Sequence, residues 1–183
     1  MPMKSRQLTL PGVFLFEPEV YADARGFFFE SFNHAQFTAA IGCDVNFMQD
    51  NHSRSARNVL RGLHYQIRQP QGKLTRVTAG AVFSVVVDLR RSSPAFGKWT
   101  GARLSAENRQ QLWIPEGCAH GFLSLSDGAE FLYKTTDYYA PQHERCIAWN
   151  DPTLAIAWPV QEPPILSARD AQGLRWEDAE TFE

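Results

Sequence analysis

The sequence predicts an all-β protein, an antiparallel β-sandwich or barrel with few helices. Short runs rich in Val, Phe, Tyr, Trp and Leu recur along the 183 residues, and turn residues separate them. The 12 glycines and 11 prolines are spread through the chain, so no linker, repeat or low-complexity segment divides it. Because 44% of the residues are hydrophobic, the chain can fill one core, and we expect a single domain over residues 1–183.

Nine segments are predicted to form strands, because each concentrates aromatic, β-branched or aliphatic residues between turn signals. They are Val13–Phe16, Phe27–Phe32, Val59–Gln66, Lys73–Thr78, Val82–Leu89, Trp99–Leu104, Gln111–Ile114, Gly121–Leu125 and Glu130–Asp137. The spacing of these strands is typical of sandwiches and jelly rolls. The chain after Pro159 is expected to pack over the strands.

Helices are expected at only two places. Asn33 followed by Gln36 is a capping pattern, which predicts a short helix ending near Ile41. Ser167 followed by Asp170 has the same spacing and predicts a second helix start. The helical content should therefore be small and partly C-terminal.

Charge and cysteine content exclude several classes of protein. Eighteen basic and 20 acidic residues nearly balance, so no global field attracts nucleic acid or an anionic membrane. The most apolar stretch, Ala79 to Val87, is too short to cross a bilayer, and the N-terminus lacks an apolar signal region. Cys43, Cys118 and Cys146 form no CxxC motif, and their odd number argues against a disulfide framework. We therefore expect a cytoplasmic protein with no nucleic-acid or membrane partner.

One interval of the chain is purely basic. No acidic residue occurs between Asp50 and Asp88, and the interval holds six cations. They are Arg54, Arg57, Arg61, Arg68, Lys73 and Arg76. The pattern fits either a solvated basic strand face or a pocket for an anionic ligand, since arginine suits bidentate contact with phosphate oxygens.

Two histidines occur in a pattern similar to that of the cupins. Pro115–His120 has the form PxGxxH, and His64-Tyr-Gln66 followed by Lys73 has the spacing of the other cupin half-motif. In metal-binding cupins the positions of Gln66 and Lys73 hold a second His and a Glu. An ammonium group has no lone pair and repels a cation, so we predict no metal and no cofactor at this site.

The same residues suggest chemistry next to a carbonyl group. A cation at Lys73 can stabilise an oxyanion, and an imidazole at His64 can take up a proton near neutral pH. Together they predict enolisation, with a base at carbon and a cation at oxygen. The alternative is that His64 is an ordinary packed or surface histidine of a β protein.

Ten motifs occur in order between about Leu10 and Asp170. They are Asp23–Glu30, Gln49–Ser53, Val59–Gln66, Gln71–Leu74, Ser93–Trp99, Leu104–Asn108, Leu112–Phe122, Glu130–Lys134, Tyr138–Tyr139 and Trp149–Pro152. Through these motifs the chain resembles the dTDP-4-dehydrorhamnose 3,5-epimerase family, cupin-fold isomerases of dTDP-L-rhamnose synthesis. The order of the motifs makes the resemblance specific.

The resemblance implies cofactor-free epimerisation of dTDP-4-dehydro-6-deoxy-D-glucose at C3 and C5, the carbons that flank its C4 ketone. It assigns His64 as the base, oriented by Asp170, and places Lys73 at the developing oxyanion. Tyr133 is the implied proton donor, because a phenol with an unperturbed pKa of about 10 stays protonated at neutral pH. Two alternatives remain: an epimerase that inverts one carbon only, and a nucleotide-sugar or metal-binding cupin without catalysis. A proton donor opposite His64 discriminates against pure binding.

The resemblance also implies a nucleotide site and a homodimer. It assigns to substrate binding Arg25, Glu30, Gln49, Asn51, Arg61, Lys73, His120, Tyr139, Glu144 and Arg169. Within this set Tyr139 stacks on thymine, and the strand around Arg25 and Glu30 completes the pocket of the partner subunit. Structural alternatives are a capping role for Asp170, core positions for Tyr133 and Tyr139, and a surface pair between Arg25 and Glu30.

Four positions depart from the family pattern. Ser84 stands where an Asp usually supports the second histidine, and Ala81, Cys118 and Arg169 replace the usual Glu, Phe and Lys. If Ser84 faces the cavity beside His120, a carboxylate that favours imidazolium is missing, and His120 should titrate lower than in the usual enzyme. Ala81 and Cys118 are expected to be packing changes.

Overall fold

In the computed structural model, which describes residues 3–183, two antiparallel sheets pack face to face. The strands are β1 (Met3–Gln7), β2 (Phe14–Pro18), β3 (Tyr21–Asp23), β4 (Gly26–Phe28), β5 (Gln49–Ser55), β6 (Leu60–Gln66), β7 (Lys73–Ala79), β8 (Ala81–Asp88), β9 (Trp99–Ser105), β10 (Gln111–Ile114), β11 (Cys118–Ser124), β12 (Ala129–Thr135) and β13 (Glu144–Cys146). One sheet has six strands in the order β1-β2-β10-β7-β12-β5, and the other has five in the order β13-β6-β11-β8-β9. The all-β jelly-roll prediction is confirmed, and β3 with β4 forms a separate hairpin.

Alternation along each strand divides the apolar side chains into layers. Val82 and Val86 of β8 face the core between the sheets, whereas Val85 and Val87 face the outer side of the five-stranded sheet. On the outer side of the six-stranded sheet, Phe37 joins a third apolar cluster.

Each of the nine predicted segments overlaps a strand, but four strands were not predicted. The missed strands are β1, β3, β5 and β13. β5 has the sequence QDNHSRS and lies at a sheet edge, where polar side chains are tolerated because half of the strand faces solvent or a cavity. The predicted strand Phe27–Phe32 ends at Phe28.

The predicted helix α1 is present over His34–Ile41. The side chain of Asn33 accepts a hydrogen bond from the backbone N–H of Gln36 at 3.1 Å, and Gly42 ends the helix in a left-handed conformation. The helix predicted after Ser167 is wrong in length. Only a 3₁₀ turn, Asp170–Gln172, forms there.

The C-terminal segment packs along the five-stranded sheet, as predicted. Isolated parallel bridges join Ile165 to Val59, Leu174 to Ile147 and Phe182 to Arg90. Leu166, Trp176 and Phe182 pack against the outer apolar cluster of that sheet. Among residues 3–183 no helix is long and apolar enough to cross a membrane.

Candidate active site

A cavity of about 420 Å³ opens between the two sheets. The five-stranded sheet, the six-stranded sheet and the C-terminal segment all contribute to its walls. Its lining includes Asn51, Arg61, His64, Gln66, Lys73, His120, Tyr133, Tyr139, Glu144, Ser167, Arg169 and Asp170. Most of the predicted site residues therefore meet in one place.

A β-bulge brings Arg61 and His64 to the same face of β6. Their odd separation would place them on opposite faces of a regular strand, but the pairing with β11 shifts between His120, opposite His64, and Phe122, opposite Arg61. Gly62 sits in the bulge at φ +119°, and a Cβ there would lie 2.5 Å from Cα of Gly121. The sequence analysis missed this role, although an isolated glycine inside a strand is a recognisable signal of a bulge.

His64 lies against the carboxylate of Asp170. Nε2 of His64 is buried and lies 2.8 Å from Oδ1 of Asp170, at an angle outside that of a regular hydrogen bond. Oδ1 also accepts from the backbone N–H of Gly62 at 3.0 Å, and Oδ2 accepts from the hydroxyl of Ser167 at 2.6 Å. The carboxylate of Asp170 thus contacts both His64, as the dyad interpretation expects, and Ser167, as the capping interpretation expects.

The ionisation of Asp170 follows from these contacts. Burial would raise the pKa of the carboxyl group, but the contacts from His64, Ser167 and Gly62 outweigh burial and hold the pKa well below its usual range. Asp170 is therefore a carboxylate at neutral pH. A carboxylate beside Nε2 favours the tautomer with the proton on Nε2, which leaves the lone pair on Nδ1.

Lys73 is buried at the start of β7, on the six-stranded sheet, and its side chain reaches across to β6. Its Nζ donates to the backbone carbonyl oxygen of His64 at 3.3 Å. Burial lowers the pKa of Lys73 to about 8, against the opposing effect of Glu144. The ammonium form still dominates at neutral pH, and little water shields its charge.

Gln66 is engaged by the backbone of neighbouring loops. Its Oε1 accepts from the N–H of Ala140 at 2.8 Å, and its Nε2 donates to the carbonyl oxygen of Gln69 at 2.7 Å. Since the amide is committed to these bonds, Gln66 fixes the loop that carries Tyr139.

Tyr133 extends from the opposite sheet. It lies on the inner face of β12, opposite Asn51 of β5 and Thr75 of β7, and packs against the inter-sheet core while lining the cavity. Burial and the nearby Glu144 raise the pKa of the Tyr133 phenol, so it is protonated at neutral pH. Tyr133 is thus both a core aromatic and a cavity residue.

His120 is held by Ser84. Ser84 faces the inter-sheet space, and its Oγ lies 3.0 Å from Nε2 of His120. Burial lowers the pKa of His120 well below its usual value, and the neighbouring Lys73 and His64 add to this effect. His120 is therefore neutral, and the effect expected from the replacement of Asp by Ser stays a prediction.

An exposed cluster forms the rim of the cavity. The hydroxyl of Tyr139 donates to Oε2 of Glu144 at 2.6 Å, and the guanidinium of Arg169 donates to the same oxygen. Gln49 joins Asn51 to this rim, because its Nε2 donates to Oδ1 of Asn51 at 2.9 Å while its Oε1 accepts from the N–H of Tyr139. Tyr139 is exposed and lies after β12 rather than on a strand, so the core alternative is wrong for it.

Arg25 and Glu30 do not line the cavity of their own chain. The side chain of Arg25 is 90% exposed and pairs with Asp23, so the surface pair that we considered between Arg25 and Glu30 is wrong. Gln36 donates weakly to Glu30 at 3.4 Å. Both residues belong to the segment around the β3–β4 hairpin.

The cations of the basic interval between Asp50 and Asp88 have different environments: some line a cavity and others are exposed to solvent. Arg61 and Lys73 line the cavity, and Nε of Arg61 donates to the hydroxyl of Ser55 at 3.1 Å. Arg54, Arg57 and Arg68 are exposed. Two of the six cations therefore line this cavity, and Arg76 lines a separate cavity of about 350 Å³.

Three of the four departures from the family pattern can be interpreted from their positions in the structure. Ala81 and Cys118 are buried, consistent with packing changes, and Arg169 keeps an ion pair with Glu144.

Cys146, which was not predicted as a site residue, lies on β13 directly opposite His64 of β6. Burial, with Asp170 and Glu144 nearby, raises the pKa of the Cys146 thiol to about 12.

Comparison with known proteins gives one consistent result. Residues 7–178 match the family model described as dTDP-4-dehydrorhamnose 3,5-epimerase. A protein of that name from Pseudomonas aeruginosa is 64% identical over 98% of this chain and 99% of its own, and one from Shigella flexneri is 56% identical over 94% and 96%. A dTDP-6-deoxy-D-glucose-3,5-epimerase from Legionella pneumophila, solved in complex with dTDP-4-keto-L-rhamnose, is 48% identical and superposes with a TM-score of 0.95 over 98% of this chain and 95% of its own.

Proposed function

The chain belongs to the dTDP-4-dehydrorhamnose 3,5-epimerase family, and on that premise we propose how its side chains divide the reaction. The protein is an isomerase that epimerises dTDP-4-dehydro-6-deoxy-D-glucose at C3 and C5 in dTDP-L-rhamnose synthesis.

His64 is the general base that removes the protons from C3 and C5. Protons beside a ketone are removable because the enolate moves negative charge to the C4 oxygen. The carboxylate of Asp170, 2.8 Å from Nε2, supports this role by orienting the ring and by stabilising the imidazolium that forms. Nδ1 is then the nitrogen that accepts the proton.

Lys73 stabilises the enolate oxygen. A buried ammonium in a site with little water interacts strongly with a developing negative charge, and it costs no reorganisation at the moment of reaction. Its pKa of about 8 keeps it charged at neutral pH, so it acts as the electrophile. No metal or cofactor takes part in this scheme.

Tyr133 returns the proton from the other side of the sugar ring. Inversion requires a donor on the face that the base does not occupy, and His64 and Tyr133 stand on different sheets that wall the same cavity. The raised pKa of the phenol keeps its proton available. This opposition of His64 and Tyr133 is the observation that carries the proposal, because a cupin that only binds nucleotide sugars has no use for it.

The nucleotide binds along the rim and the basic wall. Arg61 provides a guanidinium for the pyrophosphate, and the exposed ring of Tyr139 provides a surface on which thymine can stack. Gln49, Asn51, His120, Glu144 and Arg169 supply polar contacts around them. Neutral His120 donates one hydrogen bond to the substrate.

The active form is a homodimer in which Arg25 and Glu30 reach the cavity of the partner subunit. Their absence from the cavity of their own chain supports this arrangement. Phe27 and Phe28 on the same hairpin are each 60% exposed, which is unusual for a monomer and fits a surface that a second copy covers.

We place the enzyme in the cytoplasm. The three free thiols, Cys43, Cys118 and Cys146, support a reducing compartment.

Incubation of the protein with dTDP-4-dehydro-6-deoxy-D-glucose in D₂O tests the catalytic scheme. NMR should show deuterium at both C3 and C5 and the appearance of the L-configured product without added metal. Deuterium at one carbon only, or a requirement for added metal, would contradict the scheme.

A further inference from the structure

Three metal-ligating side chains, those of His64, Cys146 and Asp170, lie close together on the side of the imidazole where Nε2 faces Asp170. Cys146 lies directly opposite His64 in the β13–β6 pairing, so the two side chains share a face of the sheet. The 3₁₀ turn of the C-terminal segment brings Asp170 to the same place. One ligand atom from each of the three residues lies within 4.8 Å of the other two.

The ligand set matches the preference of Zn²⁺ for imidazole, thiolate and carboxylate. Bond lengths of about 2.0 Å to nitrogen and 2.3 Å to sulfur put tetrahedral ligand atoms roughly 3.5 Å apart. The thiol must therefore approach, whereas Nε2 of His64 and Oδ1 of Asp170, which lie 2.8 Å apart, must separate. Asp170 is held by Gly62 and Ser167, so the movement falls to the thiol and the imidazole. Water can complete the fourth position.

A second observation points to the same place. Nε2 of His64 is buried and lacks a hydrogen bond of regular geometry, although it lies beside a carboxylate that is 4% exposed. The nearest cations are turned to other partners, Arg169 to Glu144 and Lys73 to the carbonyl oxygen of His64. Among residues 3–183, no Lys or Arg lies within ion-pair distance of the Asp170 carboxylate.

We propose that Cys146, His64 and Asp170 form an inhibitory Zn²⁺ site behind the catalytic base. The site shares only His64 with the positions that hold metal in other cupins. His64 and Asp170 line the substrate cavity and Cys146 does not, so the ion would bind on the Cys146 side of the imidazole, away from Nδ1.

Inhibition follows from the tautomers of imidazole and rests on the proposed function of His64. When Zn²⁺ takes the lone pair of Nε2, the single proton of the neutral ring resides on Nδ1, the nitrogen that must act as base. The thiol loses its proton to solvent, so each bound ion releases one proton. The turnover number falls, whereas the affinity for dTDP is unchanged.

Titration of the full-length protein with Zn²⁺ tests the proposal, with epimerisation rate and dTDP affinity measured side by side. Zn²⁺ should lower kcat and leave dTDP binding unaltered, and EDTA should restore the rate. Cys146→Ser should keep its metal-free activity and need at least about tenfold more Zn²⁺ for equal inhibition, since loss of a ligand costs no less than loss of an outer partner. Cys43→Ser is the matched control, because Cys43 is exposed and lies outside the cluster, and it should behave as the parent protein does.

Cd²⁺ provides a readout that does not depend on activity. Its thiolate charge-transfer band in the ultraviolet should appear with the parent protein, vanish in Cys146→Ser and require more Cd²⁺ in His64→Ala. Equal inhibition of Cys146→Ser and the parent protein by Zn²⁺, or Cd²⁺ binding without a band from Cys146, would overturn the metal site. An active His64→Ala variant would instead refute the assignment of His64 as the base. The Cd²⁺ titration of that variant tests the metal site independently of this assignment.

Discussion

The hydroxyl of Ser84 lies 3.0 Å from Nε2 of His120, and both side chains are buried between the sheets. A neutral hydroxyl gives His120 a hydrogen-bond partner without a countercharge. Burial therefore acts unopposed by a carboxylate at this position, and the pKa of His120 falls well below its usual value.

Ser84→Asp should raise the pKa of His120, because a carboxylate at this distance favours the imidazolium form. The acid limb of the pH–rate profile should then move to higher pH. Histidine NMR titration and kcat/KM against pH measure the two effects. Ser84→Ala is the control, since it removes the hydrogen bond without adding charge. If neither quantity moves in Ser84→Asp, Ser84 contributes packing only.

Gly62→Ala should cost well over 1 kcal/mol of folding free energy and most of the activity. The new Cβ would lie 2.5 Å from Cα of Gly121 and 2.7 Å from the carbonyl oxygen of His120, and the φ of +119° disfavours any side chain. Gly42→Ala is the matched control, because its φ is also positive, at +77°, but nothing lies within 4 Å of the added Cβ. Urea unfolding measures the loss of unfolding free energy in both variants. Equal losses would show that the packing of β6 against β11 at Gly62 leaves room for a Cβ atom.

Arg61→Ala should weaken dTDP binding by about 1.5–3 kcal/mol, the contribution of a hydrogen bond to a charged group. Added salt should weaken binding to the parent protein as well. Calorimetry with dTDP and with thymidine separates the phosphate contribution from that of the base. Near-equal affinities for the two ligands would remove the pyrophosphate role from Arg61.

The sheet content was predictable because strands depend on local pattern, whereas most of the cavity residues were identified through the resemblance to a known family. Strands such as β8 are apolar runs bounded by turn residues, and the histidine and lysine motifs keep their spacing. The bulge at Gly62 was not predicted, although a glycine inside a strand signals one; its close contact with Gly121 depends on the pairing with another strand. The edge strand β5 was missed because its polar residues are stabilised by pairing with β12 rather than by burial.

The proximity of Cys146 and His64 also could not be predicted from the sequence. Residues so far apart along the chain meet only through the β13–β6 register. The one-turn C-terminal helix is a similar case, since the Asp170 side chain bonds to Gly62 across the fold instead of supporting a longer local helix.

Mixing two inactive variants tests the shared site. If Arg25 serves the cavity of the partner subunit, a dimer of one Arg25→Ala chain and one His64→Ala chain has one intact site and one doubly altered site. Random exchange of subunits should restore about a quarter of the parent activity. No recovery after verified subunit exchange would contradict a contribution of Arg25 across the interface.

His64 and Tyr133 act on opposite faces of the sugar in the proposed mechanism, and solvent-deuterium exchange measured beside inversion separates their two roles. In D₂O, His64→Ala should show neither exchange at C3 and C5 nor product, because proton removal has lost its base. Tyr133→Phe should retain exchange while losing inversion at C5, because the base remains and the opposing donor is gone. Calorimetry with dTDP should first verify that both variants bind the nucleotide. Equal loss of exchange and inversion in the two variants, or exchange that persists in His64→Ala, would contradict the account.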